Sequence, residues 1–268
     1  MKTLFDGTME IITPCFCAGA DQSKAEIRAP SIRGELRWWF RALGGTRQLE
    51  AEVFGSIKVT KGERVISENQ ASTLIVRVSD LRKTGAESGQ MPSNHRFFVK
   101  TRLDSGSAAM IPAGWSFRLQ ILQAKHTSCD DLIDFAVRCF MTLGGLGLRS
   151  NRGLGAVQTM TKQSDFQSLE NDLCSRGFEV FTFPVQQSAL DALVVLEEQI
   201  KSFREQEGVQ KDSNNAMGFV QRRKRHASCL RTRPLKMENE TFLPIMFYSE
   251  AAMGNVTGLR SKLKAHFA

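Results

Sequence analysis

Apolar and polar residues alternate along parts of this chain and fall at helical spacing along others, and the order of these patterns outlines a fold before any composition is counted. Residues 9–17, MEIITPCFC, read as a strand that Pro14 interrupts, which marks an edge or a bulge at that point. From about residue 31 to 43, Ile32, Leu36, Trp39, Phe40 and Leu43 gather on one side of a helical wheel, with Pro30 and Ser31 ahead and Gly44 behind as start and stop signals. A short second helix is predicted in QLEAEVFG, residues 48–55. Residues 73–79, TLIVRVS, and 115–122, WSFRLQIL, carry the alternation of strands. Between them lies the long polar section 83–114, whose middle, HRFFVKTRL, is read as a further strand.

Residues 130–143, DDLIDFAVRCFMTL, place acids in the first turn and apolar residues at 132, 135, 136, 139, 140 and 143, the pattern of an amphipathic helix. Gly144 and Gly145 stop it, and a short strand follows at 155–160. The order β-α-β-β-α-β is the ferredoxin-like arrangement. After residue 161 it recurs more weakly: strands at 181–185, 228–235 and 242–248, helices at 189–207 and 254–266, and a polar loop at 205–218. The expectation is an α+β chain of two ferredoxin-like (RRM-like) domains, 1–160 and 161–268, the second degenerate.

Charge narrows the function. Lys and Arg number 36 against 28 Asp and Glu among 268 residues, a formal charge of +8 that favours an anionic partner, nucleic acid or membrane surface. The start lacks the apolar run of a signal peptide and no later run suits a bilayer, so a soluble, cytoplasmic protein without a membrane partner is expected. The six cysteines form no Cys-x-x-Cys pair and no zinc-spaced cluster, so neither a metal nor a cofactor is expected, and Cys15 and Cys17 read as reduced core thiols on one sheet face.

Residues 144–155, GGLGLRSNRGLG, concentrate five glycines around Arg149, Ser150, Asn151 and Arg152. Glycine lets backbone N–H groups face an anion, and flanking arginines add positive charge, so a phosphate ligand is predicted. A Walker loop needs a Gly-Lys-Ser/Thr ending that is absent. The dinucleotide fingerprint needs a strand before and a helix after, the reverse of this order. A sugar-phosphate chain along Gly144, Gly145, Gly147, Arg149, Ser150, Asn151, Arg152 and Gly153 fits better. The plainer reading, a helix cap followed by a turn, accounts for Gly144 and Gly145 but gives Gly147, Gly153 and Gly155 no purpose.

Two further basic elements stand beside it. Arg33, Arg37 and Arg41 recur every fourth residue on the flank of the first helix, with only Glu35 near them in sequence, which strains a purely solvated reading. Trp38 lies roughly 140° from the centre of the apolar stripe, placed to stack on a base or to pack on a neighbouring subunit. Residues 217–236 carry seven Lys/Arg and no acid, with Arg222, Arg223, Lys224 and Arg225 at their centre; such a run is a solvated loop or a nucleic-acid contact.

TPCFCAGADQSKAEIRAPSIRGELRWWFRALGG, EAEVFGS at 50–56 and GGLGLRSNRGLGAV at 144–157 together resemble the RAMP superfamily of CRISPR-associated proteins, and within it the family of the first subunit of the type III-B Cmr effector complex. The likeness covers the first 160 residues. It implies paired ferredoxin-like domains and a non-cleaving subunit, distal to the guide 5′ tag, whose partners are guide RNA, target RNA or both, and other RAMP subunits. No catalytic residue is then expected. Two other classes stay open: a guide-processing endoribonuclease using His95 or His226 as general base, and a basic module of another ribonucleoprotein such as the ribosome.

Overall fold

A computed structural model describes residues 1–57, 59–61, 64–67, 69–84, 109–160, 162–206, 219–221, 224–226, 228, 230–249, 251 and 258–267. In chain order the elements are β1 (Lys2–Ile11), α1 (Ala29–Ala42), α2 (Arg47–Phe54), β2 (Val59–Lys61), β3 (Arg64–Ser67), β4 (Leu74–Lys83), β5 (Trp115–Gln123), α3 (Asp130–Leu143), β6 (Gly144–Gly145), β7 (Ala156–Gln158), α4 (Gln163–Ser175), β8 (Phe178–Thr182), α5 (Ala189–Gln206), β9 (Phe219–Gln221), β10 (Lys224–His226), β11 (Arg231–Lys236), β12 (Phe242–Ser249) and α6 (Leu259–Phe267).

The first sheet has the order β4-β5-β1-β7-β6, with every described pairing antiparallel. Leaving out the two-residue β6, this is the ferredoxin-like order, with α1 and α3 as the crossovers. The second sheet, β11-β12-β8, follows the same order over β-α-β-β-α, and no fourth strand joins it among the described residues. The α+β, ferredoxin-like class is therefore what the chain adopts.

Burial explains why the two halves pack as they do. Phe178 and Val180 of β8 and Ile245 and Phe247 of β12 join the core built on α1 and α3, whereas Phe181, Met246 and Tyr248 join Leu196, Ile200, Phe203, Leu259 and Leu263 of α5 and α6. The second sheet is thus covered on both faces, which is why β12 reads as a nearly unbroken apolar run. Trp39 of α1, fully buried, stacks on Phe178 (6.0 Å between ring centroids) and Phe247 (5.3 Å). A single hydrophobic cluster therefore runs from Met9 to Phe247 across residue 160.

Several boundaries differ from the sequence reading. β1 starts at Lys2 and ends before Pro14, where Cys15 makes only an isolated bridge to Ile111. The strand expected at 181–185 lies at Phe178–Thr182, because Gly177 releases the chain from α4 directly into it. That helix, α4, was not predicted: Phe166, Leu169 and Leu173 make a narrow stripe among polar residues. It lies beside α3 on the side of Phe135 and Arg138, where Arg138 pairs with Asp172 (2.6 Å) and Arg176 Cζ stands 4.5 Å from the centre of the Phe135 ring; Ile133 and Val137 of α3 are buried as well, beyond the expected face. The last helix is described over Leu259–Phe267, and residues 254–257 of the expected helix lie outside the described residues. Residues 95–103 lie outside the described residues, as does most of the predicted loop at 205–218, whose first two residues extend α5.

Candidate nucleic-acid interface

The glycine stretch begins where α3 ends. Gly144 and Gly145 pair with Val157 and Ala156 as the edge of the first sheet, and the chain between them is a loop stitched down on two sides. On one side is the segment after β1: Leu148 N donates to Phe16 O (2.9 Å), Gly155 N to Pro14 O (2.9 Å), and the Thr13 hydroxyl donates to Gly153 O (2.6 Å) while accepting from Ala156 N (2.9 Å). On the other side is β11, where Thr232 N donates to Asn151 O (3.2 Å) and Arg152 bridges in parallel to Thr232. Both halves of the chain hold the loop.

Beneath it lies Arg233, 2% exposed. Its Nε donates to Leu143 O (2.9 Å), and Nη1 donates to Thr232 O (2.7 Å) and to Ser150 O. Glu35 of α1 sits 3.5 Å from Arg233 Nη2 and pairs with the buried Arg231. Burial lowers the pKa of both guanidiniums, and the Glu35 carboxylate opposes that shift. The cost of burying these cations is offset by a carboxylate and three backbone carbonyls.

The glycines have structural reasons to be there. Gly147 has φ 78°, and a Cβ on it would fall inside contact distance of the Phe16 carbonyl. A Cβ on Gly145 would occupy the space of the Arg233 guanidinium; at Gly153 it would meet Leu193. The plainer reading of this loop therefore does assign Gly147, Gly153 and Gly155 a purpose, since each lets backbone or a neighbouring side chain approach closely. Leu148 and Arg149 are exposed, and Ser150, Asn151 and Arg152 are half-buried. Arg149 takes a left-handed conformation, φ 58°. Arg152 lies near Arg204, Arg149 and Glu197; burial first, then the two arginines, pull its guanidinium pKa down to about 10, against the pull of Glu197.

The other predicted basic residues go elsewhere. Arg37 and Arg41 pair with Glu50 of α2 (3.1 and 2.5 Å), and Arg33 and Arg37 donate to Phe54 O (2.9 and 3.3 Å). The stripe therefore has a carboxylate partner, Glu50 rather than Glu35, and fastens α2 to α1. Trp38 is half-buried: Arg231 Cζ stands 3.3 Å from the centre of its ring, and Trp39 meets it edge-on at 5.0 Å. One face of Trp38 is thus occupied within the chain. Within 217–236, Arg231 and Arg233 are buried, and Lys236 pairs with Glu10 and Glu240 at 2.9 Å each. Lys224 and Arg225 belong to β10, which pairs with β9; Arg222 and Arg223 lie outside the described residues.

The sheet face where RRM-type domains stack bases is polar. Asp6, Thr8, Arg77, Ser79, Arg118 and Gln120 are in register across β1, β5 and β4, and Asp6 accepts from Arg118 and Gln120 while Arg77 donates to Gln120. Neither of these two central registers holds an aromatic. His95 lies outside the described residues and His226 lies in β10. Among the described residues no group of three His, Cys, Asp or Glu could hold a metal ion, and no helix is long and apolar enough to cross a membrane. Cys15 and Cys17 are buried as expected, and Cys17 has its pKa lowered to about 6, chiefly by the Cys15 thiol and further by Ser31 and Arg28.

Thr13, Glu35, Arg231 and Arg233 shape this site, and sequence reasoning did not pick them out. The only signal available was the odd placement of Glu35 between arginines.

Comparison with known proteins bears on the family and the fold. The family model described as the RAMP superfamily matches residues 8–158. Two proteins of Pyrococcus furiosus are similar: CRISPR system Cmr subunit Cmr1-1, 25% identical over 151 residues (52% of this chain, 42% of that protein), and Cmr1-2, 27% identical over 184 residues (59% and 94%). The match thus spans less than half of the first. Among solved structures, Pyrococcus furiosus Cmr1 in its apo form superposes with a TM-score of 0.61 at 17% identity, covering 98% of this chain and 96% of that one. A chain of the type III-B Cmr-beta complex bound to cognate target RNA superposes with a TM-score of 0.59 at 12% identity, covering 98% and 99%.

Proposed function

The chain belongs to the RAMP superfamily, and on that premise we propose that it is a non-cleaving, RNA-holding subunit of a type III-B CRISPR effector complex. It works in the cytoplasm beside other RAMP subunits, at the end distal to the guide 5′ tag, and contacts guide RNA, target RNA or both. Two units divided at 160/161 carry this role. The similarity to Cmr1-1 and Cmr1-2, and the likeness of fold to a chain of a complex solved with target RNA, support the assignment.

The observation that carries the reading is the seat of the glycine loop. Its backbone is bonded to residues 13–16, to β11 and to Arg233, while Leu148 and Arg149 stay at the surface. A ridge fixed in this way positions an extended sugar-phosphate chain without sequence readout. Arg149 and Arg152 supply charge, and Ser150 and Asn151 supply hydrogen-bonding groups.

A titration of labelled single-stranded RNA at several ionic strengths, with product gels alongside, tests this. Binding with little sequence preference, steep weakening by salt and intact RNA are expected, and Arg149→Ala/Arg152→Ala should weaken binding with an unchanged melting point. Specific cleavage products, or no binding by the wild type, would overturn the reading.

A further inference from the structure

β4 is the outer strand of the first sheet: β5 lies on one side of it, and no strand pairs with the other side among the described residues. Backbone groups alternate in direction along a strand, so half of those in β4 face the open side. Thr73 O accepts from Ala124 N (2.8 Å), and this sets the phase. Ile75, Arg77 and Ser79 turn their N–H and C=O groups to β5, and Leu74, Val76 and Val78 turn theirs outward. The Ser72 hydroxyl already occupies the outward groups of Leu74, accepting from its N–H and donating to its C=O at 3.1 Å each. At the other end a bulge between Ser79 and Arg82, with Asp80 at φ 53°, takes the backbone out of line. The N–H and C=O groups of Val76 and Val78 thus form a short open window, while both side chains pack inward on the core.

The window suits one kind of strand. A second copy of the chain, pairing antiparallel about a two-fold axis, fills it completely only by setting each Val76 against the other copy's Val78. That register puts Arg77 directly opposite its own copy at the closest cross-strand spacing, where like charges repel. Every shifted register runs into the Ser72 hydroxyl or the bulge. Arg77 is exposed, and its hydrogen bond goes to the neutral Gln120 (3.1 Å) rather than to a carboxylate. We propose that the open edge of β4 receives an extended strand from a different, neighbouring protein subunit, which adds to the first sheet at Val76 and Val78 and sets an Asp or Glu against Arg77. This rests on the reading of the chain as a subunit of a larger complex and adds to it the surface and the form of the contact. Backbone pairing supplies the adhesion, and Arg77 selects the partner by repelling a like copy and attracting an acid.

The test uses the full chain, alone and assembled with the other subunits of its type III-B complex, and reads amide hydrogen exchange and occupancy in the purified complex. The Val76 and Val78 amides should exchange rapidly in the lone chain and be protected in the complex. Val78→Pro removes an N–H that faces away from β5, so the pairing of β4 with β5 stays while affinity for the complex falls by about tenfold. Arg77→Glu lies on the exposed face and serves as the second variant should the proline disturb folding. It should keep the melting point and weaken assembly by about fivefold, while Arg77→Lys, which keeps the charge, assembles as wild type. If the wild type enters the complex with both amides unprotected, or if Val78→Pro and Arg77→Glu enter it as well as wild type, this proposal fails and the subunit reading stands. Protection of both amides in the lone chain, as a monomer or as a self-paired dimer, would also sink it. A wild-type chain that enters no such complex defeats both.

Discussion

Gln158 at the end of β7 treats Lys236 on β11 as a strand neighbour: its side-chain amide donates to Lys236 O (2.7 Å) and accepts from Lys236 N (2.9 Å). One side chain thereby supplies the two hydrogen bonds that an adjacent strand would make, and the first sheet is joined to the edge of the second. Gln158→Leu keeps much of the volume and removes both bonds. It should cost about 1–3 kcal/mol, read as a lowered urea midpoint, with the secondary structure retained. An unchanged midpoint would show that the junction is held by the apolar core alone.

Gly147 and Gly34 should respond in opposite directions. Gly147→Val places a branched side chain at φ 78° against the Phe16 carbonyl, and should cost about 2–4 kcal/mol in addition to any loss of RNA binding. Gly34 lies in α1, exposed, and a Cβ there meets nothing within 4 Å. Gly34→Ala should raise stability by about 0.5–1 kcal/mol. Thermal melts of the two variants decide this, and a stable Gly147→Val protein would refute the loop seat described above.

Glu35 is expected to matter far more for folding than an ordinary surface acid. Glu35→Gln removes the carboxylate that pairs with both Arg231 and Arg233, the only one to do so among the described residues, and leaves two buried guanidiniums without that counter-charge. Breaking a buried pair in this way typically costs about 3–5 kcal/mol. Chemical denaturation measures the loss. A cost below about 1 kcal/mol would mean that the backbone carbonyls around Arg233 suffice.

Acid stability should depend on Asp130, at the start of α3. Its carboxylate accepts from Gln123 (2.5 Å), from Thr127 N (2.8 Å) and from the Thr127 hydroxyl (2.7 Å), and its other oxygen lies 2.7 Å from His126; these partners hold its pKa well below the usual carboxylate range. The unfolded chain binds this proton at an ordinary pKa of 3.8, so the stabilisation is complete above that pH and is lost as the pH falls below it. Asp130→Asn should make the urea midpoint depend less steeply on pH between about 4 and 2. Curves of equal slope for wild type and variant would disprove it.

Periodic features were legible in the sequence and long-range polar ones were not. Ile32, Leu36, Trp39 and Phe40 announce α1 by spacing alone, and all four are buried. The narrow stripe of α4 gave too weak a period, and its burial depends on α3, which lies before it in the chain. The loop was visible as a cluster of glycines and arginines, yet the reason for each glycine lies in residues far from it: Phe16, Leu193 and Arg233. Arg231 read as part of a solvated or RNA-facing tract because Glu35, the carboxylate that draws it inside, is 196 positions away. Pairing across such a distance leaves no local trace. Glu50 was likewise overlooked as the partner of Arg37 and Arg41, since it reaches them only once α2 folds back on α1.

The loop is fastened to residues 13–16 on one side and to β11 on the other, so the two halves cannot part without tearing it from one of its anchors. A ligand clamped there reports on the cohesion of the whole chain, since occupancy adds its binding free energy to every opening that disrupts the loop. Saturating RNA should therefore protect amide protons deep in α5 and β12, tens of residues from any nucleotide, as strongly as those of the loop itself.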